Sequence, residues 1–263
     1  MGLFTRQSPF EESRITWLFQ AYAWLLANYG GYDSFLRSYH LVLNDPKDFK
    51  IPPPSDPKYV PRIFRTIMQN MGMGTWDVRL IPMSKADSDL EFSIDSSELS
   101  MGYSSDGALG FFLLNDYNEA TIAYGDHLVS HFTSLVATLS HEAAHYLITK
   151  SITVMPGGWE NLEPMTDLTA IFTGFGIFQC NDASIVSHSQ EGQRAHLAGY
   201  LPESARAYAL AIFSELSMLD PKFVAKQLRS NPRSFFKSAI KDIRKNRSSD
   251  LSNLESLTPL RTW

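Results

Sequence analysis

The sequence predicts an α+β fold in which a small mixed sheet precedes a largely helical second half. Three observations carry that expectation. Apolar residues recur at helical spacing before residue 30, across 126–149 and across 202–246; three short β-rich runs lie between residues 76 and 125; and a proline-rich stretch separates the first helices from the rest.

Acidic residues at 11 and 12 open the first expected helix, over 11–29, with Trp17, Leu18, Tyr22, Leu25 and Leu26 at helical spacing and Gly30-Gly31 as its stop. A shorter helix is expected over 32–43. The stretch "NDPKDFKIPPPSDPKYVP" then carries six prolines. Each lacks an amide hydrogen and has a fixed φ, so the stretch suits neither helix nor central strand. The chain accordingly divides into an N-terminal helical segment (1–44), a Pro-rich linker (45–60), a main domain (61–246) and a polar tail (247–263). Within the main domain "RIFRTIMQNMGM" is expected to be helical, and "WDVRLIPM", "GALGFFLLN" and "EATIAYG" to be strands. Asp126 is the expected N-cap of a helix reaching about Thr149, beyond which Ile152, Thr153 and Pro156-Gly157-Gly158 break the pattern. Pro164 suits the first turn of the next helix, "PMTDLTAIFTGFGIF", and further helices fit 202–218, 221–229 and 232–246.

Composition limits what such a chain does. At 263 residues, 44% of them hydrophobic, it can bury a sizeable single core. A formal charge of -5 supplies no global basic field, so neither nucleic acid nor an anionic membrane is an expected partner. The cluster Lys237, Lys241, Arg244, Lys245 and Arg247 is read as a solvated helix face. The longest apolar stretch, "ITWLFQAYAWLLA", is too short to span a bilayer. Cys180 is the only cysteine, which excludes an intrachain disulfide and a Cys-rich metal site. With no secretory signal expected in "MGLFTRQSPFEESR", these features point to a reducing, cytoplasmic setting.

The chemistry concentrates in "LVATLSHEAAHYLI", residues 135–148. His141 and His145, four apart, project from one helical face a turn apart, where two imidazoles can chelate one ion. Leu135, Val136, Leu139, Ala143 and Leu147 anchor the other side, and Glu142 falls beside the histidines as the candidate general base. A catalytic Zn2+ needs a third protein ligand, and "ENLEPMTDLTAIF" offers Glu163 and Asp167, again four apart. His127 and His131 share the same spacing but lie ten residues upstream of the metal pair, too far to join it, and are read as helix-start or surface residues. A donor for a developing oxyanion is sought among Tyr200, Tyr208, His188 and His196, with Tyr200 the choice. Gly174 and Gly176 of "TGFG" follow a helix rather than a strand, so close helix packing explains them better than nucleotide binding.

HExxH followed by E-x-x-[ST]-D on the next helix resembles the thermolysin-like, or gluzincin, metalloproteases. That resemblance implies a zincin-like fold with an active-site helix and a helical C-terminal lobe, Glu163 as third zinc ligand and Asp167 as the carboxylate orienting a ligand histidine. Pro164 departs from the pattern by directly following Glu163, and leaves Asp167 as an alternative ligand. Across about residues 58–230 the chain is also similar to a group of bacterial zincin-like proteins, through "LVATLSHEAAHYL", "EPMTDLTAIFTGFGIF" and "GYLPESARAYALAIF". The expected activity is zinc-dependent hydrolysis of a protein or peptide substrate, laid along "EATIAYG" as an edge strand. The alternative is a non-catalytic sensor or regulatory module that binds a protein partner on the same scaffold. The first helices are expected either to gate the cleft or to support the fold.

Overall fold

The computed structural model describes residues 10–45, 49, 51–85, 109–186 and 200–260. The architecture is α+β and mostly helical. Helices α1 (Glu12–Asn28), α2 (Gly31–Ser38) and α3 (Tyr59–Asn70) precede strand β1 (Val78–Pro82); β2 (Gly110–Leu114) and β3 (Ala120–Tyr124) follow. Then come α4 (Phe132–Ile148), α5 (Leu162–Ala170), α6 (Gly176–Val186), α7 (Glu203–Leu216), α8 (Pro221–Gln227), α9 (Ser230–Asn246) and α10 (Ser248–Glu255). Among the described residues no helix is long and apolar enough to cross a membrane.

The sheet corrects one expectation. Its order is β1-β3-β2, with β3 parallel to β1 and antiparallel to β2, so "EATIAYG" supplies the central strand and not an edge. The physical reason lies in its side chains: Ala120, Thr121, Ile122 and Ala123 are all buried, as suits a strand covered on both faces. β2 and β1 are the edges among the described residues. β2 and β3 both lie against α4, which carries the two histidines.

The long helix expected from Asp126 is two elements. Residues Asp126–Ser130 form a 3-10 turn, His131 leaves the helical region at φ -123 and ψ 78, and α4 begins at Phe132. Asp126 is engaged elsewhere. Its two carboxylate oxygens accept the Ser84 amide at 3.0 Å and the Ser84 hydroxyl at 2.8 Å, so it ties β1's end to this turn instead of capping α4. His127 and His131 therefore do not share one α-helical face.

The first helices join the same core as the histidine helix. In α1, Leu18, Tyr22, Leu25 and Leu26 are fully buried, and Tyr22 donates its hydroxyl to the Ala209 carbonyl of α7 at 2.7 Å. Tyr29 donates to Leu147 of α4, and Trp17 to Pro156 in the loop after it. The stretch expected as a polar tail carries α10, which packs on α1 through buried Leu254, while Arg247 pairs with Glu12. Removing residues 1–44 is consequently expected to give an aggregating chain and not a more active one. Each lost buried apolar side chain is worth about 1.5–3 kcal/mol, and several together match a domain's entire stability of roughly 5–15 kcal/mol. Solubility and circular dichroism of the truncated chain check this; a soluble, folded fragment with raised activity would favour the gate.

Between α5 and α6 the chain makes a π-helical turn, Ile171–Phe175, with Gly174 at φ 103. The turn receives the segment after α2. Val42 donates its amide to the Gly174 carbonyl at 3.0 Å, and a Cβ on Gly174 would stand 2.1 Å from the His40 carbonyl oxygen. Gly176 has a different reason, the close approach of Leu210 on α7, which is the helix packing expected for "TGFG".

Candidate metal centre

α4 presents His141 and His145 a turn apart, their rings 4.9 Å apart and nearly perpendicular. α5 begins at Leu162, so Glu163 lies in its first turn with Pro164 behind it, where a missing amide hydrogen costs no helical hydrogen bond. Glu163 thereby faces both histidines. Its Oε2 stands 3.2 Å from His141 Nε2 and its Oε1 3.6 Å from His145 Nε2. One ligand atom from each of the three residues lies within 4.8 Å of the others. Tetrahedral zinc with bonds near 2.0–2.2 Å spaces neighbouring ligand atoms about 3.4 Å apart, so this donor set and spacing fit it.

Asp167 stands elsewhere, on the far side of His141. Its Oδ1 takes the Nδ1 hydrogen bond of that ring at 3.0 Å, and its Oδ2 accepts the Leu201 amide and the Arg206 guanidinium, each at 2.8 Å. Thr166 does the equivalent for His145, with its hydroxyl 3.2 Å from Nδ1 and donating to the Leu162 carbonyl at 2.9 Å. A hydroxyl that donates to a carbonyl is free to accept from Nδ1–H, which assigns His145 the tautomer with a bare Nε2. Both imidazoles are therefore oriented from behind with Nε2 forward.

Glu142 is buried beside β2, where a Cβ on Gly110 would lie 3.0 Å from its Oε1. The Thr138 methyl is closer still to that Cβ, at 2.6 Å, so a side chain at 110 would press on α4. Tyr200 stacks at a tilt over His141, with centroids 5.2 Å apart, and its hydroxyl hydrogen-bonds Glu163. Phe112 of β2 lies parallel to the His145 ring with 6.3 Å between centroids. Tyr208 is not in this group: it donates to Asp242 on α9 at 2.7 Å and packs on Phe10. His188 and His196 lie outside the described residues.

The charges are strongly coupled. Burial opposes a proton on His141, but its hydrogen bonds to Asp167 and Glu163 and the negative charges of Asp167 and Glu142 outweigh that and raise it to about 10. Burial, then the positive charge on His141, lowers His145 to about 4. Glu142 is pushed up to about 7, chiefly by burial and further by the charges of Glu163 and Asp167, with His141 acting the other way. For Glu163 burial is overcome by the hydrogen bond and charge of His141, which bring it down to about 2. Burial raises Tyr200 above its usual range, as do Glu163 and Glu142, so the phenol remains a donor.

One consequence is measurable. His141 Nε2 can hold either a proton or a metal, and with the ring charged up to about pH 10 the proton must leave first. Zinc uptake by protein stripped with a chelator is thus expected to release protons at pH 7, with affinity falling as pH drops. Calorimetry in buffers of differing ionisation enthalpy reads the proton count; a value of zero would contradict the charge assigned to His141.

Sequence reasoning brought His141, Glu142, His145, Glu163, Asp167 and Tyr200 to one place. It missed Thr166, Phe112, Gln179 and Arg206. Thr166 stood inside the E-x-x-[ST]-D pattern and Arg206 inside "GYLPESARAYALAIF", whereas nothing about Phe112 or Gln179 in the sequence separates them from core residues. Comparison of the chain with protein-family models, curated proteins and solved structures finds no match in any of the three.

Proposed function

We propose that this chain is a zinc-dependent metallopeptidase with a zincin-like fold, acting on a protein or peptide substrate in a reducing, cytoplasmic setting. The observation that carries the reading is the convergence of His141, His145 and Glu163 within 4.8 Å, with a buried Glu142 next to His141 in the chain. Held by these three residues, zinc supplies Lewis-acid polarisation of a scissile carbonyl and acidifies water.

The protein's own groups do the rest. Glu142, whose carboxylate burial makes a better proton acceptor, would take a proton from the attacking water and pass it to the departing amine. Asp167 and Thr166 hold the two rings in the required orientation. Tyr200, a protonated phenol over His141, is the donor assigned to a developing oxyanion. With β3 central, the extended substrate is placed along β2, whose Gly110 borders Glu142 and whose Phe112 lies on His145.

A regulatory module on the same scaffold would need the ligands but has no use for Glu142. The decisive experiment incubates purified, zinc-loaded protein with a peptide mixture and reads new termini by mass spectrometry. Cleavage that stops on chelation and returns with zinc is expected. A zinc-loaded protein that cleaves nothing would return the chain to the non-catalytic class.

A further inference from the structure

The "GYLPESAR" stretch, residues 199–206, does more than bring Tyr200 to the site. We propose that Arg206 is a positioning residue of the metal centre, fixing through Asp167 and Leu201 both the His141 ring and the Tyr200 side chain. This rests on the reading of the centre as a zinc site.

Arg206 is a buried arginine, 8% exposed, and its guanidinium is engaged by protein partners. Nη2 donates to Asp167 Oδ2 at 2.8 Å, and Nε to the Leu201 carbonyl at 3.0 Å. Nη1 donates to Gln179, at 3.0 Å to Oε1 and 3.3 Å to the carbonyl oxygen. The Leu201 amide donates to the same Asp167 Oδ2, so Asp167, Leu201 and Arg206 form a closed ring. Two donors on Oδ2 leave Oδ1 turned to His141 Nδ1. The carboxylate therefore cannot rotate without breaking three hydrogen bonds. Leu201 adjoins Tyr200, and fixing its peptide on both sides sets where the phenol meets Glu163.

The circuit also returns to the ligand helix. Gln179 Nε2 donates to the Ala137 carbonyl at 2.8 Å and to the Ser140 hydroxyl at 3.1 Å, and Ser140 directly precedes His141. A planar fork that engages three partners in different directions has no equivalent in a lysine, whose single ammonium can satisfy Asp167 but not Leu201 and Gln179 as well. Full removal of the cation would also strand a buried carboxylate.

The test compares zinc affinity, by competition with a chromogenic chelator, and the visible spectrum of the cobalt-substituted protein. Wild type, Arg206→Lys, Gln179→Leu and a control, Asn181→Ala, are measured. The control removes partly buried hydrogen bonds of α6 to Gln227 and Arg229, away from the centre. Arg206→Lys is expected to weaken zinc by roughly 10–100-fold and to alter the cobalt bands. Gln179→Leu is expected to shift both in the same direction by a smaller factor, and Asn181→Ala to shift neither. Folded Arg206→Lys with wild-type affinity and spectrum overturns the proposal. If that variant is insoluble, wild-type behaviour of Gln179→Leu overturns it instead. Failure of the wild-type protein itself to bind zinc defeats the metal reading and is distinguishable from both.

Discussion

Glu142→Gln is expected to lower peptide hydrolysis by roughly 10²–10⁴-fold while leaving zinc content at the wild-type level. The amide keeps the shape of the carboxyl, so the space left by Gly110 and the packing on β2 are undisturbed. It cannot carry a proton. Because burial already penalises the charge on Glu142, the neutral amide is expected to cost no stability in the metal-free protein at neutral pH. Hydrolysis rate, zinc by mass spectrometry and thermal midpoint together isolate proton transfer from folding and from metal retention. Undiminished hydrolysis by the zinc-loaded variant would remove Glu142 from the reaction.

The second large effect is on the metal. His145→Ala and Glu163→Ala are each expected to reduce zinc from about one per chain to a small residual fraction, since two remaining protein ligands hold the ion poorly. Asp167→Asn should behave differently. It preserves contact with His141 but not the charge, and a loss of roughly 10–100-fold in affinity is expected with the site still loadable at high zinc. The ordering follows from position: Glu163 faces both Nε2 atoms, whereas Asp167 touches only Nδ1 of His141. Full occupancy in His145→Ala, or outright loss of zinc only in the Asp167 variant, would reassign the ligands.

What could be read in advance follows the range of the interactions. His141 and His145 were legible because a helix turns four residues of separation into one face, and the apolar residues around them announced that helix. Helix ends near Gly30, Pro164 and Pro202 were legible for similarly local reasons. The edge assignment of β3 failed because pairing depends on partners far away in the chain; its run of small and branched buried residues was the available clue. The break at His131 was hidden because Asp126 is an equally good partner for Ser84, 42 residues earlier, as for a helix N-terminus. Arg206 was the least accessible of all. An arginine in an alanine-rich helix reads as a surface residue until Asp167 is placed beneath it, 39 positions upstream.

The bond between Tyr22 and Ala209 spans 187 residues, and it sets an order of events during synthesis. At about 5–20 residues per second, the apolar side of α1 waits roughly 10–40 s for α7, one of the helices that cover it, to be made. Tyr32 waits comparably for Leu216, 184 residues on. The nascent chain thus carries part of the apolar side of α1 uncovered for much of translation. The hydrogen bonds from Arg206 to Asp167 and Leu201 form equally late, because Arg206 emerges only three residues before Ala209. Such long-range closure also predicts slow refolding from denaturant, set by contact order and not by metal capture.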